Sequence, residues 1–382
     1  MCDDSVEEIC YDGDVDLVGL TANTAQAPRA YQIAGEFRRR GVPVVMGGMH
    51  ASAVPAEALQ YVDAVVVGEA EGIWPQVLAD AGAGRLGGIY RSDRFPSLDG
   101  LPWPRRDLID QNAYLAGATV QATRGCPHNC DFCSVSTFFG RRQRLRPVAE
   151  VVAEIGTIEA RRIILVDDNI MGQPSYAAQL FDRLADLKKK WLSQASTRIL
   201  EKVDLIKQAA HAGCEGLFVG LESIIPENLR AMGKGFNVVA KYRELVDVLH
   251  GNGIAIIGSF MFGLDNDDES VFERTAEFTE QARIDLGQFS ILTPLPGTAL
   301  YRRLQAEGRI FERDWSKYDG THVTFRPRGI SPERLEAGLR WIYDRFYSWG
   351  SILKRTARGL RPVVWAINEA YRRRVRNWLR ST

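Results

Sequence analysis

Three cysteines stand close together in the chain, at Cys126, Cys130 and Cys133. Three residues separate the first pair and two residues separate the second. Thiolates packed this closely in one loop can hold an iron–sulfur cluster by three of its irons, which leaves one iron without a protein ligand. An open iron can bind a further molecule, so this spacing indicates a cluster at which chemistry takes place.

A structural zinc site is the alternative interpretation of the same thiols. Zinc in such sites is held by four protein ligands in a closed tetrahedron. The fourth ligand would have to be His128, inside the same loop, or Cys214, far along the chain. Three exposed thiols without a metal would be open to oxidation. The cluster is favoured over zinc because the rest of the chain agrees with it.

The loop reads Ala-Thr-Arg-Gly-Cys-Pro-His-Asn-Cys-Asp-Phe-Cys, with Phe132 before the last cysteine. This pattern resembles the signature of the radical S-adenosylmethionine (radical SAM) superfamily. The resemblance implies that Cys126, Cys130 and Cys133 bind a [4Fe–4S] cluster and that the amino and carboxylate groups of SAM chelate its open iron. It also implies that one electron, from a reductant such as flavodoxin or ferredoxin, cleaves SAM to a 5′-deoxyadenosyl radical.

The composition sets broad limits on the protein's class. The 382 residues are enough for two domains with their own cores, and 45% hydrophobic and 25% charged residues are ordinary for a globular protein. Lys plus Arg and Asp plus Glu are 48 each, so net charge does not indicate a nucleic-acid partner. Six cysteines without a recognisable signal peptide favour a reducing cytoplasm over a disulfide framework. No apolar run is long enough to cross a bilayer.

The region before the cysteine loop contains three short apolar runs, at 15–20, 42–46 and 64–67, with a helical pattern after the first. This alternation predicts a parallel sheet covered on both faces, and such sheets bind ligands at the carboxyl ends of their strands. Small or polar residues stand at these ends, namely Thr21, Thr24, Gly47, Gly48, His50, Gly68 and Glu69.

These turns resemble the latter part of the cobalamin-binding domain that precedes the radical SAM core in one large branch of the superfamily. The resemblance implies that cobalamin contacts Thr21, Thr24, Gly47, Gly48, His50, Gly68 and Glu69. The chain departs from the pattern in two ways: Gly-Glu-Ala-Glu replaces Gly-Glu-Gly-Glu, and only three convincing strands are present where a full domain has more. The alternative is that Gly47, Gly48 and His50 form a tight turn that serves folding alone.

From residue 118 onward, strand and helix patterns alternate regularly. Predicted strands lie at 119–123, 163–166, 192–195, 216–220, 254–262 and 287–292, and predicted helices lie near 148–160, 175–189, 201–212, 238–251 and 268–283. Six such units predict an incomplete parallel barrel, which the resemblance also implies. The active site of a barrel lies at the carboxyl ends of its strands.

Polar residues at the ends of these predicted strands could bind the polar parts of SAM. The resemblance assigns Glu222 to the ribose region and places Asp168 and Asn169 near the SAM amino group or the substrate. It also places the backbone at Phe132 and the segment 260–263, with Phe260, Phe262 and Gly263, against adenine. Arg198 is a candidate bidentate partner of the SAM carboxylate. The alternatives are that Asp168 and Asn169 form a helix cap and that Arg198 is a surface arginine.

Two basic segments have open interpretations. The arginine-rich run at 141–146 could hold an anionic substrate or an electron donor, or it could be a solvated face. In the tail, apolar residues recur at helical spacing at Leu360, Val364, Ile367, Tyr371, Val375 and Trp378, among many arginines. Such a helix could lie on an anionic membrane surface or pack on the protein with its arginines in water.

The sequence therefore predicts an α/β protein in four parts. A short Rossmann-like (flavodoxin-like) domain of the cobalamin-binding type occupies 1–81, a linker 82–117, a partial (β/α)6 radical SAM barrel 118–293, and an α-rich extension 294–382. Residues 294–328 resemble the C-terminal extension of cobalamin-type members, including those that methylate hopanoid lipids, and would close the barrel over the substrate.

The predicted reaction begins with abstraction of hydrogen from a carbon of a small-molecule or lipid-like substrate, followed by cobalamin-dependent C-methylation. One alternative keeps the radical step without cobalamin and ends in dehydrogenation, cyclisation, epimerisation or rearrangement. The other is a non-enzymatic relative whose thiols hold a structural metal. The protein is expected to be cytoplasmic, with a peripheral membrane contact through the tail helix as an option.

Overall fold

The computed structural model describes residues 1–92, 94–114, 118–356 and 362–381. Its N-terminal part is a parallel sheet of four strands in the order β1-β2-β3-β4, with helices against it. The elements are β1 Val18–Thr21, α1 Ala27–Arg39, β2 Val44–Gly47, α2 Gly48–Ala53, α3 Pro55–Ala58, β3 Ala64–Val67, α4 Trp74–Gly82 and β4 Gly88–Arg91. The three predicted strands are present, and β2 and β3 are buried on both faces.

Strand β4 lies inside the segment that the sequence predicts to be a linker. It pairs with β3 in parallel, and its Tyr90 packs in the small core between β2, β3 and α4. The other three residues of β4 are exposed, so the strand has almost no hydrophobic alternation for sequence analysis to detect. The strand order is sequential, so these four strands do not include the reversal at which doubly wound sheets form their ligand crevice.

The central part is a six-stranded parallel sheet in the order β12-β11-β10-β9-β8-β5, which confirms the predicted partial barrel. A two-stranded antiparallel hairpin, β6 with β7, lies beside it and carries the cysteine loop. The elements are β5 Thr119–Val120, β6 Thr123–Arg124, α5 Ser134–Phe138, β7 Arg144–Leu145, α6 Val148–Thr157, β8 Arg162–Leu165, α7 Pro174–Ala185, β9 Lys190–Ala195, α8 Val203–His211, β10 Cys214–Glu222, α9 Pro226–Ala231, α10 Tyr242–Gly251, β11 Ala255–Phe262, α11 Val271–Ala282 and β12 Leu286–Ile291.

The C-terminal part is helical and covers the free edge of the barrel at β12. Its helices are α12 Ala299–Ala306, α13 Pro332–Phe346, α14 Trp349–Thr356 and α15 Pro362–Ser381. The hydroxyl of Tyr343 bonds both backbone groups of Phe289, and the hydroxyl of Tyr347 bonds both backbone groups of Gly287. Helix α13 therefore satisfies the strand edge that an incomplete barrel leaves unpaired.

The tail helix α15 packs on the protein, as one of its two predicted arrangements requires. Its Ile367, Val375 and Trp378 join the main core, and Tyr371 stacks on Tyr347 with ring centroids 5.2 Å apart. The stripe that a membrane surface would need is therefore used for intramolecular packing. Leu360, at the start of that stripe, lies outside the described residues. Among the helices described, none is long and apolar enough to cross a membrane.

Candidate active site

The cysteine loop connects β6 to α5 and lies at the carboxyl ends of the barrel strands. Burial raises the pKa of all three thiols, to about 12 for Cys130. Negative charge on Cys126 or Cys133 would raise the pKa of Cys130 further, so the three thiols lie close enough to interact electrostatically. A thiol of this kind is inert until a metal displaces its proton. The donor set thus fits an iron–sulfur cluster held at three corners.

Neither candidate for a fourth zinc ligand joins these thiols. The ring of His128 stacks on Phe236 with centroids 4.2 Å apart. Cys214 is buried at the opposite end of β10, where its thiol donates to the carbonyl of Gly216 at 3.7 Å. Within the described ranges, no three His, Cys, Asp or Glu side chains converge as a single metal ion requires. The geometry does not fit a four-ligand zinc site.

Two carboxylates after β8 hold the backbone that leads into the cysteine loop. Asp167 is fully buried and accepts from the amides of Ala122 at 3.3 Å and Thr123 at 2.5 Å. Asp168 accepts from the amide of Gly125 at 2.9 Å. Burial raises the pKa of both carboxyls, to about 7 for Asp167. Asp168 therefore supports the loop directly, one residue before Cys126.

Two glycines allow the loop to lie close to neighbouring backbone. Gly125 has φ +85°, and a Cβ at this position would overlap the carbonyl oxygen of Arg142. Gly233 has φ +77°, and a Cβ there would lie 2.8 Å from the carbonyl oxygen of Asn129. Substituting either residue would therefore displace the loop. The cysteine loop is therefore in close contact with the chain just before β7 on one side and with the segment after α9 on the other.

Glu222, predicted to contact the ribose of SAM, ends β10 in a conformation that few residues adopt. Its φ is +67°, and the register of β10 against β11 shifts between Gly220 and Glu222. A non-glycine residue in this region costs of the order of 1 kcal/mol or more, and such residues cluster at functional sites. At this bulge the carboxylate of Glu222 pairs with Lys234.

Lys234 lies at the candidate site and was not predicted from the sequence. Its ammonium lies 2.5 Å from Glu222 Oε1 and donates to the carbonyl of Gly220 at 3.2 Å. It also lies 6.0 Å from the ring centroid of Phe132. Burial lowers the pKa of Lys234, but Glu222 and the neighbouring thiols oppose this effect and the net shift is upward. The only signal in the sequence is a lysine between two glycines in the loop after α9.

Asn169, predicted to lie near the SAM amino group, has one unsatisfied atom. Its side chain lies close enough to the thiol of Cys126 to oppose the rise in the pKa of that thiol. Its Oδ1 is buried and has no hydrogen-bond partner among the residues that the structure describes, although such atoms are normally paired. An ammonium group would satisfy Oδ1, and Glu222 with Lys234 offers an acceptor and a cation nearby. The residues present therefore fit SAM beside the cluster.

The remaining predicted SAM residues have different surroundings. Arg198 is exposed, with 53% of its side chain accessible, and pairs with Glu201 at 3.2 Å. The rings of Phe260 and Phe262 are buried between the sheet and its helices, so only their backbone is available toward the barrel mouth. Phe132 packs with a separate cluster that includes Leu264. Gly263 has φ +92° and lies against Leu335.

The carboxyl edge of the N-terminal sheet faces the cysteine loop. Helix α2 packs against α5, and the hydroxyl of Ser134 donates to Met49 Sδ at 3.6 Å. A Cβ on Gly48 would lie 2.6 Å from Thr21 Oγ1, so this edge requires glycine for close packing. Gly47, at the end of β2, lies next to Val66 of β3, and the amide of Gly68 donates to the hydroxyl of Ser52. Small residues thus line an edge next to the cluster loop, which fits a flat corrin approaching from this side.

The side chains of three residues predicted to contact cobalamin have contacts within the protein. Thr24 is buried in the turn before α1. His50 is fully buried, with Nε2 3.0 Å from the hydroxyl of Tyr31 and its ring 5.3 Å from that of Trp315. Both oxygens of Glu69 are bound by guanidinium groups of the hairpin, from Arg124 and Arg144. The first two stabilise the N-terminal domain, and Glu69 binds it to the barrel.

Three protein-family models match successive parts of the chain. Residues 2–78 match the B12 binding domain, residues 120–279 match the Radical SAM superfamily, and residues 298–379 match a domain of unknown function, DUF4070. Among solved structures, the radical SAM methyltransferase TsrM from Kitasatospora setae, with cobalamin and a [4Fe–4S] cluster bound, superposes with a TM-score of 0.63 at 20% identity, covering 78% of this chain and 68% of that one. OxsB, a cobalamin-dependent SAM radical enzyme, gives 0.63 at 14% identity, covering 97% and 64%. These likenesses establish the shared fold.

The sequence similarities extend over nearly the whole chain. Bacteriochlorophyllide d C-12(1)-methyltransferase of Chlorobaculum tepidum is 31% identical over 92% of this chain and 79% of that protein. The C-8(2)-methyltransferase of the same organism is 32% identical over 94% and 83%. Hopanoid C-2 methylase of Rhodopseudomonas palustris is 29% identical over 72% and 54%. On these similarities, the chain belongs to the radical SAM superfamily, in the branch of cobalamin-dependent methyltransferases that carry a B12 binding domain before the radical SAM domain.

Proposed function

We propose that this enzyme methylates a carbon atom of a tetrapyrrole-like substrate, with SAM bound at the cysteine loop and cobalamin at the edge of the N-terminal sheet. The observation that carries the proposal is the adjacency of these two edges, which meet at Met49 and Ser134 and at Glu69 and Arg124. A methyl carrier and a radical source must act on one substrate carbon, so their sites must be neighbours.

The chain's own residues provide the positions that this chemistry needs. When bound, the cluster supplies the electron that cleaves SAM, and cobalamin supplies the methyl group. Cys126, Cys130 and Cys133 would hold the cluster, while Asn169, Glu222 and Lys234 would orient the polar end of SAM. The carboxylates of Asp167 and Asp168 keep the loop fixed while substrate binds. The C-terminal helices cover the edge of the barrel and help to exclude water from a radical reaction.

The interior face of the barrel supports a substrate with hydrogen-bonding groups. Ser259 and Gln288 are register partners on β11 and β12, and each precedes a buried phenylalanine in its strand. Because side chains alternate between faces along a strand, both lie on the face opposite the helices. Ser259 also pairs with Gly220, beside Glu222 and Lys234. A tetrapyrrole with carbonyl or carboxyl substituents suits this wall better than a plain hydrocarbon, and the two bacteriochlorophyllide methyltransferases resemble the chain over most of their length.

The experiment is an anaerobic assay with reconstituted protein, cobalamin, a flavodoxin or chemical reductant and SAM carrying a trideuteromethyl group. Bacteriochlorophyllide d and a hopanoid are supplied in parallel. We expect deoxyadenosine together with a labelled tetrapyrrole, detected by mass spectrometry, and no labelled hopanoid. Labelled hopanoid alone, or no labelled product from either substrate, would contradict the proposal.

A second candidate is a radical reaction that ends without methyl transfer, such as dehydrogenation or cyclisation. It is favoured by the sequential order of β1 to β4, which lacks the strand reversal of a doubly wound sheet within the described residues. The same assay distinguishes the two candidates. An oxidised or cyclised substrate with unlabelled carbon would support the second, and a labelled product would support the first.

A further inference from the structure

Glu69, in the Gly-Glu-Ala-Glu turn after β3, is among the most buried charged groups of the N-terminal domain, with 3% of its side chain exposed. Its Oε2 lies 2.5 Å from Arg124 Nη1 and 3.2 Å from Arg144 Nη1. Its Oε1 contacts Arg144 Nη2. Glu71, two residues later, contacts Arg124 at 2.5 Å and is 32% exposed. The two acids of one turn therefore differ sharply in environment.

The two arginines belong to the hairpin that carries the cysteine loop. Arg124 in β6 and Arg144 in β7 are directly opposite each other, and Arg124 stands two residues before Cys126. Arg144 also donates to the carbonyl of Pro96 at 3.0 Å and lies 4.8 Å from the ring centroid of Phe95. One carboxylate thus connects the end of β3 to both strands of the hairpin, and through Arg144 to the segment after β4.

Because the carboxylate of Glu69 is buried, its charge depends on the two guanidinium groups for compensation. A charge taken out of water is tolerated only when oppositely charged groups surround it, and removing one partner leaves the others buried without compensation. Without Glu69, Arg124 would still pair with the partly exposed Glu71, whereas Arg144 would be left with the neutral carbonyl of Pro96. The hairpin could relieve this by moving, and Gly125 and Cys126 would move with it. The contact of Glu69 with the two arginines therefore sets the distance between the end of β3 and the hairpin, and it also compensates the charges of these side chains.

We propose that Glu69 is a positioning residue that fixes the cysteine loop against the carboxyl edge of the N-terminal sheet and thereby couples SAM cleavage to methyl transfer. The family resemblance assigns this residue to cobalamin; its contacts assign it to the barrel. The coupling rests on the proposed function, whereas the positioning rests only on the contacts of Glu69 and is tested separately.

The first experiment measures hydrogen–deuterium exchange in the cofactor-free protein, comparing Glu69→Gln with Glu71→Gln as the matched control. We expect Glu69→Gln to speed exchange of amides 123–126 by at least about tenfold, because local opening there becomes easier, and Glu71→Gln to change it by less than about twofold. Glu69→Asp, which keeps the charge, should lie between them. Unchanged exchange in Glu69→Gln, or equal effects of the two glutamine variants, would overturn the proposal.

A double-variant cycle tests whether Glu69 acts through the hairpin. Arg144→Gln should raise exchange at the same amides, and the combined Glu69→Gln/Arg144→Gln variant should add little beyond the single variants, because the two residues share one interaction. Fully additive effects would mean that the two residues act independently and would overturn the proposal. This measurement needs no cofactor, so it stands whether or not the enzyme methylates a tetrapyrrole.

The second experiment uses the loaded enzyme and compares deoxyadenosine with methylated product. For Glu69→Gln we expect wild-type corrinoid content, deoxyadenosine formation within about threefold of wild type, and at least a tenfold loss of methylated product, since misplacement by an ångström costs rates of this order or more. Loss of corrinoid with unchanged exchange would identify Glu69 as a cofactor ligand and overturn the proposal. If wild type yields deoxyadenosine without any methylated product, the proposed function fails, and the exchange experiments alone decide the positioning.

Discussion

Two buried ion pairs flank the cysteine loop, and they differ in what remains unpaired beside them. On the barrel side, Lys234 binds one oxygen of Glu222, and the other oxygen accepts from no group in the described part of the chain. Glu222 is also conformationally strained, and the buried Oδ1 of Asn169 lacks a donor. On the N-terminal side, both oxygens of Glu69 are bound by arginines.

This difference separates a ligand site from a domain interface. Burying a polar group without a partner costs free energy, so a protein retains such groups where a ligand completes them. The region around Glu222 has this character, whereas both oxygens of Glu69 are paired and the unpartnered buried atom beside it is Nε of Arg144. His50 lies between these two cases: its Nε2 is 3.0 Å from the hydroxyl of Tyr31 and 3.7 Å from Glu57, whereas its buried Nδ1 has no hydrogen-bond partner among the described residues.

The largest expected effect concerns the thiols. Cys130→Ala should reduce SAM cleavage below detection, because a cluster held at two corners does not retain an open iron for SAM. Cys214→Ala is the matched control, since it removes a buried thiol on β10 that does not belong to the loop. Anaerobic assay of deoxyadenosine measures both variants. Cleavage that persists in Cys130→Ala would show that the loop is not the cluster site.

The next effect concerns the incomplete ion pair. Glu222→Gln and Lys234→Met should each weaken SAM binding by about 10- to 100-fold, the loss expected for one hydrogen bond to a charged group. Corrinoid content should not change. Lys241→Met, at an exposed lysine nearby, serves as the control. Equilibrium binding of SAM to the reconstituted protein checks this. If the affinity for SAM is unaltered in both variants, SAM binds elsewhere, and the region around Glu222 would not differ from that around Glu69 as a ligand site.

These residues show which parts of the candidate site can be predicted from the sequence. The spacing of the cysteines predicted the loop, and Asp168, Asn169 and Glu222 became candidates because parallel strands end at one edge. Lys234 was missed because its partners come together only through the path of the chain after α9. Nothing in a Gly-Glu-Ala-Glu turn says whether its acids meet a cofactor or an arginine, since that depends on residues 55 and more positions away.

The same limit applies to the basic segments and to β4. In the run at 141–146, Arg146 is buried and Arg144 is partly buried, and they pair with Glu154 and Glu69, so these two do not form a solvated face. The tail pattern was compatible with a membrane surface and with a protein surface, and the distinction depends on where Tyr347 and its neighbours lie. Strand β4 has only one buried residue and is defined by its pairing with β3.

A smaller effect concerns His50. Replacing it by glutamine should lower the free energy of unfolding by about 1–3 kcal/mol, because a buried hydrogen bond to Tyr31 and a ring contact with Trp315 are lost. Corrinoid content per folded protein should remain at the wild-type value. Denaturant unfolding and corrinoid absorbance measure the two quantities, with His211→Gln as an exposed control. Loss of corrinoid without loss of stability would make His50 a cofactor ligand.

The smallest effect is a difference in pH dependence between the two regions. Burial lowers the pKa of His50, so its contribution to stability is present above pH 6.5 and is lost as the pH falls and the unfolded chain takes up the proton. Burial raises the pKa of Asp167 to about 7, so its contribution is present below the unfolded value near 4 and is lost as the pH rises toward 7.

Between pH 5 and 7, acid should therefore weaken the N-terminal domain while alkali weakens the support of the cysteine loop. Each group contributes at most about 1.4 kcal/mol per pH unit. Hydrogen exchange of the cofactor-free protein, corrected for intrinsic rates, measures both regions in one experiment. His50→Gln should flatten the first dependence and Asp167→Asn the second. Parallel pH profiles in the two regions would contradict the assignment.

The most direct test of the account is electron paramagnetic resonance of anaerobically prepared, reduced protein before and after addition of SAM. A cluster gripped by Cys126, Cys130 and Cys133, with its fourth iron free, should give a reduced [4Fe–4S] signal whose g values change when SAM binds. Iron-free protein, zinc in stoichiometric amount, or a cluster signal indifferent to SAM would contradict it.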